Sequence, residues 1–320
     1  MGSSDIVTAV TGVVAVPAAV VLWLVIAERI VTAVPHRRQE SVRAWLWLAL
    51  PVVLAGGILL YPLIQTFAMS FQGPDGTGFV GLQNYAWVFS EGVLPVLLNN
   101  LAWLVLLPAT TLLLGLALAA LADGVRYEWL IRTVMLLPMA ISFAAAAVIW
   151  RLMYAYQPSG ADQLGTLNAV LDLLGADTVA FLSDPTIATF SLIAVGIWMS
   201  TGLAMVMLSS AIKNVDSSTL EAAQLDGTGP FGAFWHVTLP QIAPTVSVVY
   251  TTQVIFSLKV FDIVYTMTNG AFNTDVIANR MYSELFRARE YGHAAAIAIV
   301  LLLAAVPVIV ANVRQFRAER

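Results

Sequence analysis

The chain of 320 residues contains no cysteine, and only 11% of its residues are charged, whereas 59% are hydrophobic. The lack of cysteine excludes disulfides, thiolate chemistry and cysteine-ligated zinc. The scarcity of charge excludes an ordinary water-soluble globule, which needs far more polar side chain to cover its surface. The formal net charge of −4, with the basic residues scattered in small groups, also argues against nucleic-acid binding.

Lysine is nearly absent as well, since Lys213 and Lys259 are the two in the sequence. Neither follows the glycine pattern of a phosphate-binding P-loop, so the chain cannot hydrolyse ATP by that route. The three histidines, His36, His236 and His293, lie far apart in the sequence and do not suggest a metal site. We therefore expect no catalytic residue, no metal and no cofactor bound by this chain.

Long hydrophobic runs are what the sequence has in abundance. About 20 apolar residues, at 1.5 Å per residue, cross the roughly 30 Å hydrocarbon layer of a bilayer. Seven such runs are separated by clusters of charge, glycine and proline. They predict an all-α, polytopic membrane protein with about seven spans, near 6–27, 44–70, 96–122, 133–153, 186–212, 243–267 and 293–313.

Positive charge is distributed unequally between the loops on the two predicted faces. Ten Lys and Arg residues collect on one face and three on the other, with Arg151 and Lys259 assigned to span ends or interiors. Because positively charged loops stay in the cytoplasm, this bias predicts an N-terminus outside the cell and a cytoplasmic C-terminus.

The segment 213–242, which we call the hook, is the longest predicted cytoplasmic connection. Ser217 and Ser218 could cap a short helix that Gly227 stops. A turn and a second short amphipathic helix should follow, ending at Leu239-Pro240. Two short helices at an angle suit docking in a cleft on another protein, while an interfacial helix lying on the lipid headgroups is the alternative.

The hook contains a specific spacing of residues: Glu221-Ala222-Ala223, Gly227 after three more residues, Val237, and then Leu239-Pro240. This pattern resembles the EAA coupling motif of ATP-binding-cassette importer permeases, and Asp226 before the glycine matches a further common feature. Val237 stands where that family usually has isoleucine.

Further tracts extend the resemblance from about residue 44 onward and are closest to the maltose and α-glucoside type of the carbohydrate-importer branch. One departure lies at Gly270-Ala271-Phe272, where the family has Gly-Gly-Pro. The similar tracts are 79–85, 132–138, 149–151, 259–265, 268–270 and 291–295.

The resemblance implies a six-helix permease core over 44–320, preceded by an extra transmembrane helix and cytoplasmic loop over 1–43. It further implies a bacterial or archaeal plasma membrane location and three kinds of protein partner: a separate ATPase dimer that binds ATP and Mg, a second permease, and an extracytoplasmic sugar-binding protein. The hook would sit in the ATPase surface and convert ATP-driven closure into alternating access. The implied ATPase-coupling residues are Glu221, Ala222, Ala223, Asp226, Gly227, Leu239 and Pro240.

Polar and aromatic residues at helical spacing suggest where substrate passes. Within the sixth predicted span, four residues at i, i+3, i+4 and i+7 share one stripe; in the fifth span a second stripe contains Ser200 and Leu203. By resemblance, these are positions that the maltose-type family uses for sugar contact, although Ser and Gln also commonly form hydrogen bonds between helices in lipid. The sixth-span stripe consists of Gln253, Phe256, Ser257 and Val260.

Lys259 and Asp262 are opposite charges three residues apart within the sixth predicted span, so we expect a local salt bridge between them. If they instead coupled transport to an ion gradient, the chain would be a secondary sugar carrier that works without an ATPase. The hook separates the two hypotheses, because a secondary carrier has no use for it. A non-transporting membrane scaffold is a third reading, which leaves the polar stripes unexplained.

Overall fold

Helices dominate the computed structural model, which describes residues 3–90, 92–158 and 160–318. These residues form no strand, and their β-type pairing is a single isolated bridge between Gln72 and Phe79. The predicted all-α class is thereby confirmed. The helices are α1 (Ser3–Thr32), α2 (His36–Ala55), α3 (Tyr61–Met69), α4 (Gln83–Val88), α5 (Leu94–Ala122), α6 (Glu128–Leu136), α7 (Phe143–Met153), α8 (Thr166–Leu173), α9 (Ala188–Lys213), α10 (Ser217–Leu225), α11 (Pro230–Ala233), α12 (Leu239–Gln241), α13 (Ala243–Leu258), α14 (Asp262–Met267), α15 (Ile277–Ser283) and α16 (Tyr291–Ala318).

The chain divides into two units, with the boundary between Ala68 and Met69. In the first unit, α1 packs on α2: the Trp23 indole N–H donates to the carbonyl of Leu46 at 3.2 Å, and Arg43 forms a salt bridge with Glu28. A π-helical turn, Gly56–Leu60, joins α2 to α3. The arginine-rich stretch 28–43 was predicted to be a loop, but helix continues through most of it, because only the residues around Pro35 leave helical geometry.

The second unit is built on α5, α9 and α13, and α5 and α9 approach each other closely at small residues. A Cβ on Gly196 would lie 2.7 Å from a methyl of Leu107 and 2.9 Å from the Trp103 ring, so glycine is required for this contact between α9 and α5. Trp103 and Leu107 are fully buried there.

Three described helices are long and apolar enough to cross a bilayer by length and composition: His36–Met69, which combines α2 and α3, then α5 and α9. Two shorter apolar helices are Ala243–Leu258 and Tyr291–Pro307. The count of seven spans remains a prediction, since the structure gives three clear spans and a bent fourth candidate.

The bent candidate is the predicted span 133–153, which was expected to be one continuous helix. Glu128–Ala140 and Phe143–Met153 instead meet at 98°. Pro138 lies in a 3₁₀ turn, Leu137–Ala140, and Ser142 then caps α7 by accepting the Ala145 N–H at 3.2 Å. A proline that cannot donate and a serine that caps a new helix together account for the break.

The predicted span 243–267 is also interrupted, because α13 ends at Leu258 and α14 begins at Asp262. After the break, Ile263 and Val264 enter the buried cluster that contains Trp103 and Leu107. Burial of these apolar side chains favours the interrupted path over a continuous helix.

Candidate functional site

A cavity of about 300 Å³ lies between α9, α13 and the bend that joins α6 to α7. The bend is held against α9 by a close backbone approach. A Cβ on Gly202 would lie only 1.8 Å from the carbonyl oxygen of Met135, so that no other residue fits without displacing backbone. Glycine at 202 thus lets the end of α6, just before the bend, pack directly against α9.

Four of the six residues predicted for the substrate pathway line this cavity: Ser200, Leu203, Gln253 and Phe256. They come from two helices that are distant in sequence, and the tertiary structure brings both predicted stripes to one space. Whether they contact substrate remains a prediction.

The other two predicted residues do not line the cavity. Ser257 is fully buried, and its hydroxyl donates to the carbonyl of Gln253 at 2.9 Å, within its own helix. Val260 follows the end of α13 and packs in the core, so the stripe expected from an unbroken helix is interrupted before it reaches Val260.

Gln253 is the polar residue at the cavity with an unsatisfied group. Its side chain is 5% exposed, and its Oε1 has no hydrogen-bond partner among the described residues. An amide oxygen left in this state costs about 1–3 kcal/mol, so a buried unsatisfied group calls for an explanation. A ligand hydroxyl in the cavity would supply the missing donor.

Sequence reasoning missed the five remaining lining residues, three of which come from the bend. Phe143 stacks on Phe256, with ring centroids 4.8 Å apart, and provides an aromatic wall. Pro138 is the sequence signal that could have indicated the bend, because proline lacks the backbone N–H that a continuous helix needs. The missed residues are Met139, Ile141, Phe143, Met199 and Thr252.

The hook begins with a capped helix, although the cap differs from the prediction. Asp216, rather than Ser217 or Ser218, is the N-cap of α10. Its Oδ1 accepts the Ser218 N–H at 3.0 Å and its Oδ2 accepts the Ser218 hydroxyl at 2.8 Å. These hydrogen bonds, the backbone one first, lower the pKa of the Asp216 carboxyl from its ordinary value because they stabilise the ionised form.

Gly227 ends α10, as predicted. Its φ is +80°, and the N–H groups of Gly227 and Thr228 donate to the carbonyls of Gln224 and Ala223, each at 3.0 Å. This is the hydrogen-bond pattern of a Schellman cap, which requires a left-handed residue at the position of Gly227.

The second helical segment of the hook starts at Pro230 and continues to Gln241, so it does not end at Leu239-Pro240 as predicted. A π-helical turn, Phe234–Thr238, precedes Pro240. The wider turn lets the chain pass a residue that cannot donate a backbone hydrogen bond. The Gln241 amide donates to the Thr219 hydroxyl at 3.3 Å and ties the segment to α10.

The hook presents an apolar surface. Leu225 is 89% exposed, and the rings of Phe231 and Trp235 are stacked and exposed. Of the predicted coupling residues, Ala223 and Leu239 are half-buried; the exposed ones are Glu221, Ala222, Asp226, Gly227 and Pro240.

The prediction of a salt bridge between Lys259 and Asp262 is wrong. Both residues are exposed, and the described contacts include no ion pair for either side chain. The break after Leu258 removes the helical spacing that would have placed them one turn apart. Within the part of the chain that the structure describes, no three His, Asp or Glu side chains lie close enough to hold a metal ion.

The sequence is similar to a family of transport proteins and to two permeases of named function. Residues 111–318 match the family model described as binding-protein-dependent transport system inner membrane component. The chain is 45% identical to the osmoprotective compounds uptake permease protein GgtC of Synechocystis, over 82% of this chain and 94% of that protein. It is 41% identical to the alpha-glucoside transport system permease protein AglF of Rhizobium meliloti, over 88% and 85% of the two chains.

Two solved structures are similar to the fold. One is a bacterial ABC transporter that imports the acidic polysaccharide alginate; its matching chain has a TM-score of 0.75 and 25% identity, over 89% of this chain and 100% of that chain. The other is a bacterial alginate ABC transporter in complex with an alginate pentasaccharide-bound periplasmic protein, with the same TM-score and identity, over 88% and 97%.

Proposed function

This chain belongs to the family of binding-protein-dependent transport system inner membrane components, and from that premise we propose that it is the permease subunit of an ATP-driven sugar importer. The hook carries the proposal: it combines the Glu221 to Pro240 motif with a helix–turn–helix geometry and an exposed apolar surface. An element of this kind needs a partner protein to cover it.

We propose an oligosaccharide or α-glucoside as the class of substrate. The name of the relative from Rhizobium meliloti and the two alginate importer structures support a carbohydrate. The cavity adds a physical reason, because the Phe143 and Phe256 rings offer apolar planes while Gln253 and Ser200 offer polar groups. A pyranose ring has an apolar face and a rim of hydroxyls that match this arrangement.

The energy for transport comes from a partner in this proposal. The hook docks in a cleft of an ATPase dimer, which binds ATP and Mg, and closure of that dimer tilts the permease helices from an inward-facing to an outward-facing state. A second permease completes the pathway, and an extracytoplasmic binding protein delivers the sugar; the alginate importer solved with a periplasmic protein supports this assembly.

The arrangement in the membrane forms part of the proposal. Residues 44–320 form the six-helix permease domain, with the hook as its coupling loop, and 1–43 add one transmembrane helix and a cytoplasmic connection. The N-terminus then lies outside the cell and the C-terminus in the cytoplasm, as the distribution of Lys and Arg predicts.

Reconstitution tests the proposal. Vesicles that contain this chain, the ATPase, the second permease and the binding protein should accumulate an α-glucoside against a gradient when ATP is inside, and vesicles without the ATPase should not. Accumulation by this chain alone, driven by an ion gradient without nucleotide, would establish the secondary-carrier alternative instead.

A further inference from the structure

The short helix α8, in the connection between α7 and α9, exposes an apolar face. Leu173 is 85% exposed, Leu174 76% and Val170 47%. At about 100° per residue, these three side chains lie within about 100° of one another around the helix, and Asp172 lies about 150° from the middle of that face. The helix is therefore amphipathic, with aliphatic side chains on one side and a carboxylate on the other.

Buried polar contacts hold α8 next to the end of α7. The side chain of the fully buried Asn168 donates to the carbonyls of Ala155 and Val179, each at 3.0 Å, and accepts the Val179 N–H at 2.8 Å. A Cβ on Gly165, the N-cap of α8, would lie 2.2 Å from the carbonyl oxygen of Ala155, so the two backbones are in direct contact. Because α7 ends at Met153, these contacts fix α8 two residues beyond that end.

The length of α9 indicates the height of α8 in the membrane. α9 has 26 residues and is about 39 Å long, so about three residues at each end extend beyond a hydrocarbon layer of roughly 30 Å. Ser191 then lies near the boundary of that layer, at the end of α9 opposite the hook. Its carbonyl accepts the Tyr154 hydroxyl at 3.2 Å. Since Tyr154 directly precedes Ala155, α8 lies close to the level at which hydrocarbon meets headgroups.

The residues around α8 fit this level. Tyr156, in the link from α7, is exposed, and tyrosine is enriched where the hydrocarbon meets water. Residues 154–185 include no Lys or Arg, so attraction between a basic side chain and a lipid phosphate contributes nothing here. A contact between α8 and lipid must therefore be apolar.

The size of the exposed face favours lipid over protein as its cover. A stable protein interface buries roughly 800 Å² on each partner through about 20–30 residues, and its strongest contacts come from Trp, Tyr and Arg. Three aliphatic side chains provide neither the area nor these anchors. A bilayer requires no complementary surface, and burial of leucine in it is favourable.

We propose that α8 is an interfacial helix. The face formed by Val170, Leu173 and Leu174 lies at the boundary between acyl chains and headgroups, and it holds the adjacent ends of α7 and α9 at that level. Its partner is phospholipid, recognised by apolar contact rather than by charge. The inference requires that α9 crosses the bilayer and goes beyond the proposed function, since it depends on neither the substrate nor the source of energy.

Fluorescence quenching tests the position of this face. The chain contains no cysteine, so Leu173→Cys introduces a single thiol for a fluorophore. Asp172→Cys, one residue away on the polar side of α8, is the matched control. Each variant is reconstituted as a complete importer, whose other chains lack reactive cysteines, in phosphatidylcholine vesicles. A nitroxide near the top of the acyl chain should quench the fluorophore at 173 several-fold more strongly than the one at 172, and a water-soluble quencher should do the reverse.

Two further measurements define the mode of contact. A nitroxide deep in the acyl chain should quench the fluorophore at 173 less than the shallow one does, because an interfacial helix inserts only about 5–10 Å. Replacement of part of the phosphatidylcholine by anionic phosphatidylglycerol should leave the quenching unchanged, since the segment carries no basic residue to attract it.

The alternative outcomes each overturn the proposal. Equal quenching from water at 173 and 172, without quenching by lipid, would place the face in solvent. A fluorophore at 173 that neither quencher reaches would show that the second permease or the binding protein covers the face. Quenching by lipid that appears only with phosphatidylglycerol would replace apolar contact by a charge-dependent one. Failure of the importer to transport an α-glucoside would count against the proposed function alone, because the quenching requires only an assembled complex.

Discussion

Glu128, the first residue of α6, and Lys213, the last residue of α9, form a salt bridge of 2.7 Å between Oε2 and Nζ. Glu128 also pairs with Arg132, whose Nη2 donates to the Ser209 hydroxyl at 2.5 Å. The start of the hook is thereby fixed to the helix that leads into the bend beside the cavity. We interpret this pair as a mechanical connection between hook and cavity.

Removal of this salt bridge should weaken the coupling between ATP hydrolysis and sugar transport, while the permease still assembles with the ATPase. Lys213→Met should lower sugar uptake about fivefold or less, since exposed ion pairs contribute modestly, while the ATPase still co-purifies. Arg43→Met is the control, because it breaks the Arg43–Glu28 pair in the first unit, whose cation is about as exposed as Lys213. Equal losses in both variants, measured as uptake per assembled complex, would remove any special role for Lys213.

Replacement of Gly227 should uncouple or release the ATPase. The left-handed conformation costs an ordinary residue about 1–2 kcal/mol, so Gly227→Leu should disturb the cap of α10 and lower uptake about tenfold. The space around this position is open in the isolated chain, so the backbone conformation, rather than a clash within the chain, is the physical cause.

Gly229→Leu provides the control for Gly227→Leu, since Gly229 has a φ of −70° and equally open surroundings. It adds the same volume to the hook without strain in the backbone. Co-purification of the ATPase with the Gly227→Leu chain at undiminished yield, together with normal sugar uptake, would contradict the prediction.

Gln253 should contribute to sugar affinity. Gln253→Leu removes the unsatisfied amide at the cavity and should raise the KM for sugar about tenfold, the expected loss for one hydrogen bond. Ser257→Ala should leave KM unchanged, because the Ser257 hydroxyl bonds within its own helix. The measurement is the KM for sugar uptake by each variant. An unaltered KM for Gln253→Leu would show that Gln253 does not bind sugar and only packs between the helices.

Ser257→Leu, which the sequence alone suggests as the test of the stripe, is not a clean variant. The Ser257 side chain is fully buried, so leucine would overpack the site and destabilise the fold by about 1–3 kcal/mol. A lower yield of folded protein should therefore accompany any loss of transport in that variant.

Gly202→Ala should destabilise the second unit. The added Cβ meets the backbone oxygen of Met135, which cannot move aside as a flexible side chain could, and we expect a loss of about 1–3 kcal/mol. Gly57→Ala is the control, since a Cβ there meets nothing within 4 Å. Thermal unfolding in detergent compares the two, and an equal melting temperature for both variants would contradict the packing described here.

The first helix of the hook should lose its cap in acid. Because the folded state lowers the pKa of Asp216, the cap stabilises α10 fully above the ordinary aspartate value of 3.8 and loses this contribution as the pH falls through the lower folded pKa. Protection of the 217–225 amides, measured as the exchange rate relative to the intrinsic rate at the same pH, should fall across that window in the wild type. In Asp216→Asn, which has no carboxyl to titrate, protection should not change across the window; a parallel loss of protection there would reject the role of Asp216.

Several features were predictable because they depend on local chemistry. The apolar runs predict helices because a polypeptide in lipid must satisfy its backbone hydrogen bonds internally. Gly227 predicts a helix end because few other residues adopt its φ. The coupling motif was likewise visible, since all of its residues lie within one short segment.

The helical class, the turn at Gly227 and the two stripes that carry Ser200 and Gln253 can be read from the sequence, because each depends on residues near one another along the chain. The 98° angle between α6 and α7 and the end of α13 before Val260 are visible in the folded chain alone. At both breaks the chain loses helical hydrogen bonds and gains contacts between helices that are distant in sequence, and hydrophobic periodicity carries no information about those contacts. The cavity beside Gln253 forms because the chain breaks its helix at these positions.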